Sequence, residues 1–347
     1  MVSSSLAVAI ASFQSPHGYL NAASTGLPTR QTVSAIQADL TAWSEARTEP
    51  QAYDAVIDST RASYAGLVGV PSSRVAVGSQ VSAQTSLVAA AAPAGSEVLV
   101  ADGDFTSIIY PFLSRPGITV RSVPLDALAD SISSGTWLVV FSLVQSATGE
   151  IADVEAILES AKRRRTLTFC DLTQAAGVLP VDASLFDATV CHAYKWLCSP
   201  RGVSFLTVSD RLLPRVPALQ AGWYAGEDIW ASCYGPEMQL AADARRLDVS
   251  PAWQAWVGAE PAVAMFAGLD MEEVWAHAVG LGNSLCDSLG MARQNQAIVT
   301  WPDPDREQLL KLADARIRVA SRAGRLRASF HLWNVESDVE SVVAALR

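Results

Sequence analysis

The stretch Leu167-Thr168-Phe169-Cys170-Asp171-Leu172-Thr173-Gln174-Ala175-Ala176-Gly177, followed after ten intervening residues by Ala188-Thr189-Val190-Cys191-His192-Ala193-Tyr194-Lys195-Trp196, decides how the rest of the chain is read. Two short runs, 167–171 and 188–193, are apolar and β-branched without alternation, as expected of strands covered on both faces. Each run delivers reactive side chains at its end: Asp171 after the first, then His192, Tyr194 and Lys195 after the second. In open α/β sheets ligands sit beyond the carboxyl ends of strands, so this is where a site belongs.

Working outward, similar runs recur at 74–77, 97–101, 118–123, 137–144 and 203–208, and helical spacing over 81–92 and 153–165 separates several of them. The pattern is βαβ, which predicts an α/β fold with a mainly parallel seven-stranded sheet. Two helices over 31–68 precede it. A segment over 212–255, rich in Trp, Tyr, Gly and Pro, loosens the pattern. Then come a long helical stretch over 261–289, short strands near 296–301, 314–320 and 325–330, and a closing helix over 336–346. The division this predicts is an N-terminal segment 1–30 packing with the small domain, a large domain 31–255 and a small α+β C-terminal domain 256–347.

Composition narrows the function. Of 347 residues 50% are hydrophobic and 17% charged, so the chain has ample material for a packed core and is not of the disordered class. Net charge is −10, and only three of the 25 basic residues are lysines. A nucleic-acid binder needs a clustered basic face, whereas the one dense run, Lys162 to Arg165, suits a helix C-terminus. No nucleic-acid partner is expected. No apolar run approaches the ~18 residues of a membrane span, and the start of the chain lacks the basic flank of a signal peptide. Five cysteines without a CxxC pair predict neither a disulfide framework nor a metal site. The expectation is a cytoplasmic protein without membrane contact.

Each strand end has a plain reading and a chemical one. Gly78-Ser79-Gln80-Val81-Ser82 leads from a strand into a helix, so it is either an ordinary N-cap or an anion cup of free amides. Asp171 is either a structural ion-pair partner or a carboxylate held for a bound cation, since burial alone would raise its pKa. Lys195 either snorkels or, in apolar surroundings that lower its pKa, serves as a nucleophilic amine.

Taken together these parts resemble the fold type I pyridoxal phosphate enzymes of the class V aminotransferase and cysteine desulfurase superfamily, the most specific piece being Asp171-x-x-Gln174-x-x-Gly177 placed 24 residues before Lys195. The resemblance implies an aspartate-aminotransferase-like large domain. It implies that Lys195 anchors the cofactor covalently, Asp171 pairs with its ring nitrogen and Gln174 contacts its ring hydroxyl. Phe105, in Gly103-Asp104-Phe105, would stack on the ring. The phosphate would rest on the amides of Ser79, Gln80 and Val81 with the side chains of His192 and Tyr194. Ser250 would reach the phosphate of a neighbouring subunit, which implies a homodimer with shared sites. Arg327, in Arg325-Leu326-Arg327-Ala328-Ser329, would clamp the carboxylate of a small amino-acid substrate, and Asn21 would face it.

The reaction class must come from the surroundings. A cysteine desulfurase needs a mobile cysteine near the carboxylate arginine, and the last cysteine is Cys286, inside the helical stretch. The segment 220–235 holds Trp223, Tyr224 and Trp230 with Glu227 and Asp228, either interface packing or a site for a quaternary ammonium. The whole-chain pattern, notably His192 to Cys198, is similar to the C–S lyases of ergothioneine biosynthesis. That resemblance implies β-elimination on hercynylcysteine sulfoxide, a cysteine S-conjugate sulfoxide, with Trp223, Tyr224 and Trp230 on the substrate. The alternative is a transaminase, epimerase or desulfurase-like enzyme on another amino acid.

Overall fold

The computed structural model describes residues 3–14 and 16–347. In chain order the helices and strands are α1 (Ser4–Ala11), α2 (Arg30–Ser44), α3 (Ala52–Leu67), β1 (Val75–Gly78), α4 (Val81–Ala90), β2 (Glu97–Ala101), α5 (Thr106–Leu113), β3 (Thr119–Val123), α6 (Leu128–Ser131) and β4 (Thr136–Ser142). They continue with α7 (Val154–Arg164), β5 (Leu167–Asp171), β6 (Ala188–His192), β7 (Ser204–Val208), α8 (Trp253–Ala267), α9 (Met271–Ser288), β8 (Ile298–Pro302), α10 (Glu307–Asp314), β9 (Ala320–Arg322), β10 (Arg325–Ser329) and α11 (Glu336–Leu346).

Seven strands form one sheet in the order β1-β7-β6-β5-β4-β2-β3, parallel except for β7, which pairs antiparallel with both β1 and β6. Burial on both faces explains the unbroken apolar runs. In β2, Leu99 and Ala101 face one core while Val98 and Val100 face the other, and in β4 Val139 and Phe141 are set against Leu138 and Val140. A three-stranded sheet, β8-β10-β9, follows, with α9, α10 and α11 around it. Its core is continuous with one face of the large sheet.

Two elements differ from the sequence reading. The long helical stretch is two helices, because Gly268-Leu269-Asp270 interrupts it and the Asp270 side chain accepts the Glu272 amide to cap α9. The strand placed near 314–320 is shorter and later, since α10 runs to Asp314 and strand pairing starts at Ala320. Helix α8 packs on α2 and α3 of the large domain, so the expected boundary at 255/256 falls inside one helix. At the N-terminus, Leu20 N–H donates to Arg318 O and Ser329 N–H to Leu20 O, laying residues 18–21 against the small sheet.

Candidate active site

Strand pairing lines up the expected residues along one edge. Ser204 at the start of β7 stands opposite both Gly78 of β1 and His192 of β6, while Asp171 of β5 is flanked by Ser142 of β4 and Val190 of β6. The carboxyl ends of β1, β6, β5 and β4 therefore open into one crevice.

Asp171 is buried, and its Oδ1 accepts the Thr173 amide at 2.8 Å; Thr173 Oγ1 accepts the His192 amide at 3.0 Å. Among the described residues no cationic group lies within ion-pair distance of it. Burial is the main cause that raises its carboxyl to about 6. Lys195 is buried too, and desolvation, opposed by the Asp171 charge, lowers its ammonium to about 8. A largely dry amine that sheds its proton near neutrality is a nucleophile and a base. Its Nζ lies 5.3 Å from the centre of the Phe105 ring. Phe105, 44% exposed, precedes α5, and Asp104 fixes this corner by accepting the Phe105 amide at 2.8 Å and the Ser142 amide at 2.7 Å.

Two glycines allow the chain to close on the lysine loop. A Cβ on Gly177, at φ +98°, would stand 2.6 Å from the Trp196 carbonyl oxygen, and one on Gly26 would stand 1.9 Å from that of Lys195. The first accounts for the glycine of the Asp-x-x-Gln-x-x-Gly motif. The second brings residues 21–26 into the site. Gln174 is braced at both ends: Oε1 accepts Trp196 Nε1 at 2.7 Å, while Nε2 donates to Ala23 O at 3.0 Å and Ser146 Oγ at 3.2 Å.

At the far side of the crevice, His192 Nε2 accepts the Val81 amide at 3.2 Å, so two expected phosphate ligands satisfy one another. Burial, then the charges of Lys195 and Arg201, lower His192 to about 4 and keep it neutral. The amides of Ser79 and Gln80 have no acceptor among the described residues and remain available to an anion. Tyr194 is edge-on to His192 and carries the Arg201 guanidinium 4.4 Å over its ring.

Arg327 reaches the same site from the small sheet. It is 1% exposed, Nη2 donates to Ser24 Oγ at 2.7 Å, and Nη1 donates to the carbonyl oxygen and, at 3.3 Å, to the Oγ of Ser146. It has no carboxylate partner among the described residues, its Nε has no acceptor, and burial lowers its pKa to about 10. Arg325 is spent on Thr300. Asn21 Oδ1 is buried without a donor among the described residues, in the segment that hydrogen-bonds along β10.

Trp223, Tyr224 and Trp230 form one cluster, with the rings of Trp223 and Trp230 5.0 Å apart. It closes on α3, where Tyr224 Oη donates to Asp54 Oδ1 at 3.2 Å and Trp230 Nε1 to Oδ2 at 2.7 Å. No hydrogen bond ties it to the residues around Lys195 among those described. Ser250 is exposed, two residues beyond Asp248, which pairs with Arg61 at 2.8 Å and accepts the Val77 amide at 2.7 Å. Four of the cysteines are buried and Cys233 is half-buried; no described group of three or more His, Cys, Asp or Glu is placed to hold a metal. No described helix is long and apolar enough to cross a membrane.

The sequence reading missed Ser24, Asp104, Ser146 and Thr173, which orient the expected residues. Only Asp104 and Thr173 carried a signal, each being a small polar residue just past a strand.

A buried carboxylate, a buried amine of lowered pKa and a buried guanidinium, the first and last without an ion-pair partner among the described residues, stand around one crevice and are the groups that a pyridoxal phosphate site requires. The sequence profile described as "Aminotransferase class-V" matches residues 18–320, and the chain belongs to that family. Among curated relatives, kynureninase of Deinococcus radiodurans is 29% identical over 66% of this chain and 58% of its own. Isopenicillin N epimerase of Streptomyces clavuligerus is 29% identical over 49% of this chain and 47% of its own. A probable cysteine desulfurase of Streptomyces coelicolor is 23% identical over 72% of this chain and 69% of its own. The chain thus spans about half the length of the first two. Among solved structures, C-DES with glycine covalently linked to its PLP cofactor superposes with a TM-score of 0.85 at 21% identity, over 95% of this chain and 96% of that one. The cysteine desulfurase CsdA of Escherichia coli gives 0.84 at 20% identity, over 98% and 97%. Pyridoxal phosphate is the family's cofactor, and the residues present fit it: Asp171 lacks the cation that a ring nitrogen supplies.

Proposed function

We propose that the chain is a pyridoxal phosphate-dependent C–S lyase that performs β-elimination on a cysteine S-conjugate sulfoxide, hercynylcysteine sulfoxide, giving pyruvate, ammonia and, after reduction of the released sulfenate by an external thiol, ergothioneine. The observation that carries it is Arg327, a buried guanidinium without a carboxylate partner in the crevice of Lys195 and Asp171. Such a group calls for the α-carboxylate of an amino acid, which its two-pronged geometry fits.

Lys195 Nζ, Asp171, Gln174, Phe105, the amides of Ser79 and Gln80, Tyr194 and His192 would hold the cofactor, with Ser250 of the partner subunit closing the phosphate site of a homodimer. When bound, pyridoxal phosphate supplies an electron sink for charge developing at Cα. Asp171, ionised beside a protonated ring nitrogen, sustains that sink. Arg327 fixes the substrate carboxylate, with Asn21 on the same side. Lys195 Nζ would then take the α-proton, the Cα–H electrons forming a Cα=Cβ double bond as the Cβ–S pair departs with the sulfenate, and water would hydrolyse the released 2-aminoacrylate to pyruvate and ammonia.

No sulfur acceptor is needed, and none is placed for it. Cys191 and Cys198 flank Lys195 but are buried, which pushes both thiols up and away from thiolate chemistry. Cys286 lies within α9, and Cys233 in the cluster that closes on Asp54. Trp223 and Trp230, both half-buried, would offer aromatic faces to the trimethylammonium of the substrate, whereas Tyr224, expected there too, is 2% exposed and bonded to Asp54, and serves to back them.

The similarity to kynureninase and isopenicillin N epimerase supports the second reading, a transaminase or epimerase with the same cofactor residues. Incubating the holoenzyme with hercynylcysteine sulfoxide separates them. Pyruvate in step with substrate loss is the expected result; substrate recovered intact, epimerised or as a keto acid overturns the lyase reading. The variant Lys195→Ala is expected to lose the visible band of the bound cofactor along with turnover.

A further inference from the structure

Strand β10 carries Arg325 and Arg327, and β9 carries Arg322 across the two-residue turn Ala323-Gly324. The register pairs Arg322 with Arg325 and Ala320 with Arg327. Directly opposed residues of an antiparallel pair share a face, as do residues two apart on one strand. Arg322 therefore stands on the same face as Arg327, one diagonal step away. The turn is fixed by positive φ at both positions, +48° at Ala323 and +72° at Gly324, which holds this register.

The two arginines differ in exposure and agree in lacking a counter-charge. Arg327 is buried; Arg322 is exposed, and among the described residues its side chain donates only to the neighbouring Ser321 carbonyl at 2.7 Å. Neither has a carboxylate within ion-pair distance among the described residues, in a chain whose net charge is −10. The charge of Arg322 reaches inward, for it is among the causes that lower both Lys195 and Arg327. Two like charges on adjacent strands disfavour the empty site and favour one in which anions lie between or beside them.

From this geometry we infer that Arg322 is a specificity-determining residue that binds a second anionic group, a carboxylate distal to the reacting carbon, so that the enzyme takes amino acids with two carboxylates. The inference rests on the reading of the site as one for amino acids and deepens it. The betaine half of the proposed substrate carries such a carboxylate.

The test uses the holoenzyme and two probes of equal shape, S-(2-carboxyethyl)-L-cysteine and its neutral amide S-(2-carbamoylethyl)-L-cysteine, with dissociation constants read from the change in cofactor absorbance. The wild type should prefer the carboxylate by about tenfold, the size of one charge-assisted hydrogen bond at an accessible site. In Arg322→Gln that preference should fall to near unity with binding of the amide unchanged, whereas Arg327→Gln should weaken both probes. An undiminished preference in Arg322→Gln, or none in the wild type, overturns the inference. Pyruvate release from the corresponding sulfoxides reports separately on the lyase reading: its absence beside an Arg322-dependent preference overturns the lyase reading and leaves the second carboxylate site standing.

Discussion

The indole Nε1 of Trp196 donates to Oε1 of Gln174 at 2.7 Å, joining the residue after the lysine to the motif that follows Asp171. The Trp196 carbonyl oxygen lies 2.8 Å from His331 Nε2, just beyond β10. One residue thus ties the lysine loop to the large sheet through its side chain and to the small domain through its backbone. With Gln174 Nε2 reaching Ala23 and Ser146, the amide has one orientation, and Arg327 leans on the same Ser146.

Replacing Trp196 by Phe removes the one hydrogen bond that Gln174 Oε1 accepts among the described residues while leaving that oxygen buried. A buried acceptor left unpaired costs about 1–3 kcal/mol. Thermal or denaturant unfolding should register a loss of that order, and Trp196→Phe should release cofactor faster than the wild type on dilution. Wild-type stability and retention together would show that the contact is incidental.

Arg327 and Arg325 provide an internal comparison on one strand. Arg327→Lys keeps the charge but loses the fork, so kcat/KM should fall by an amount worth about 1.5–3 kcal/mol, the strength of hydrogen bonds to charged groups. Arg325, bonded to Thr300, should tolerate lysine with little kinetic effect. Equal losses at the two positions would remove Arg327 from the carboxylate site.

Asp171 gives the cofactor-free protein a pH dependence whose sign can be worked out. Its carboxyl titrates at about 6 in the folded chain, against about 3.9 for an unfolded aspartate. A raised folded pKa means that the unfolded state loses its proton first, so stability falls as pH rises from about 4 to 6 and stays reduced above that. Asp171→Asn keeps an oxygen for the Thr173 amide and has no charge to desolvate. The cofactor-free variant should therefore be more stable than the wild type at pH 8 by about 1–3 kcal/mol, with the difference closing below pH 4. Holoenzyme should reverse the order, because the ring nitrogen supplies the missing cation. A pH-independent difference between the two cofactor-free proteins would assign the effect to packing instead of ionisation.

Much of this was legible in the sequence, for reasons particular residues make plain. Six of the seven strands of the large sheet are covered on both faces, the edge strand β3 being the exception, so runs such as Leu167–Asp171 and Ala188–His192 carry no charged break and announce their ends. Asp171, Lys195 and Arg327 are charges in apolar company, visible in one dimension. The break at Gly268-Leu269-Asp270 was not, because apolar spacing continues through it and only the Asp270 cap shows where α9 restarts. Nor was the mutual bond of His192 and Val81, or the share of Ser24 and Ser146 in holding Arg327, since these pair residues more than a hundred positions apart. Side chains that close on distant partners leave no periodicity to read.

The proposed shared site can be tested by complementation. Ser250 is exposed in the single chain, while neighbouring Asp248 is locked to Arg61, so a change at Ser250 should spare the fold. Ser250→Asp places a negative charge where the partner's phosphate would lie, and each homodimer of that variant should bind cofactor poorly. Homodimers of Lys195→Ala should be inactive for a different reason. In a mixed dimer, one site combines the intact Lys195 of one chain with the intact Ser250 of the other, and the second site carries both defects. Random reassortment of a symmetric dimer makes half the molecules mixed, each with one complete site, so activity should return to about a quarter of wild type. Mixing without unfolding or prolonged exchange should restore none. If reassortment, verified by differently tagged chains, recovers no activity, Ser250 does not cross to the partner and each protomer builds its phosphate site alone.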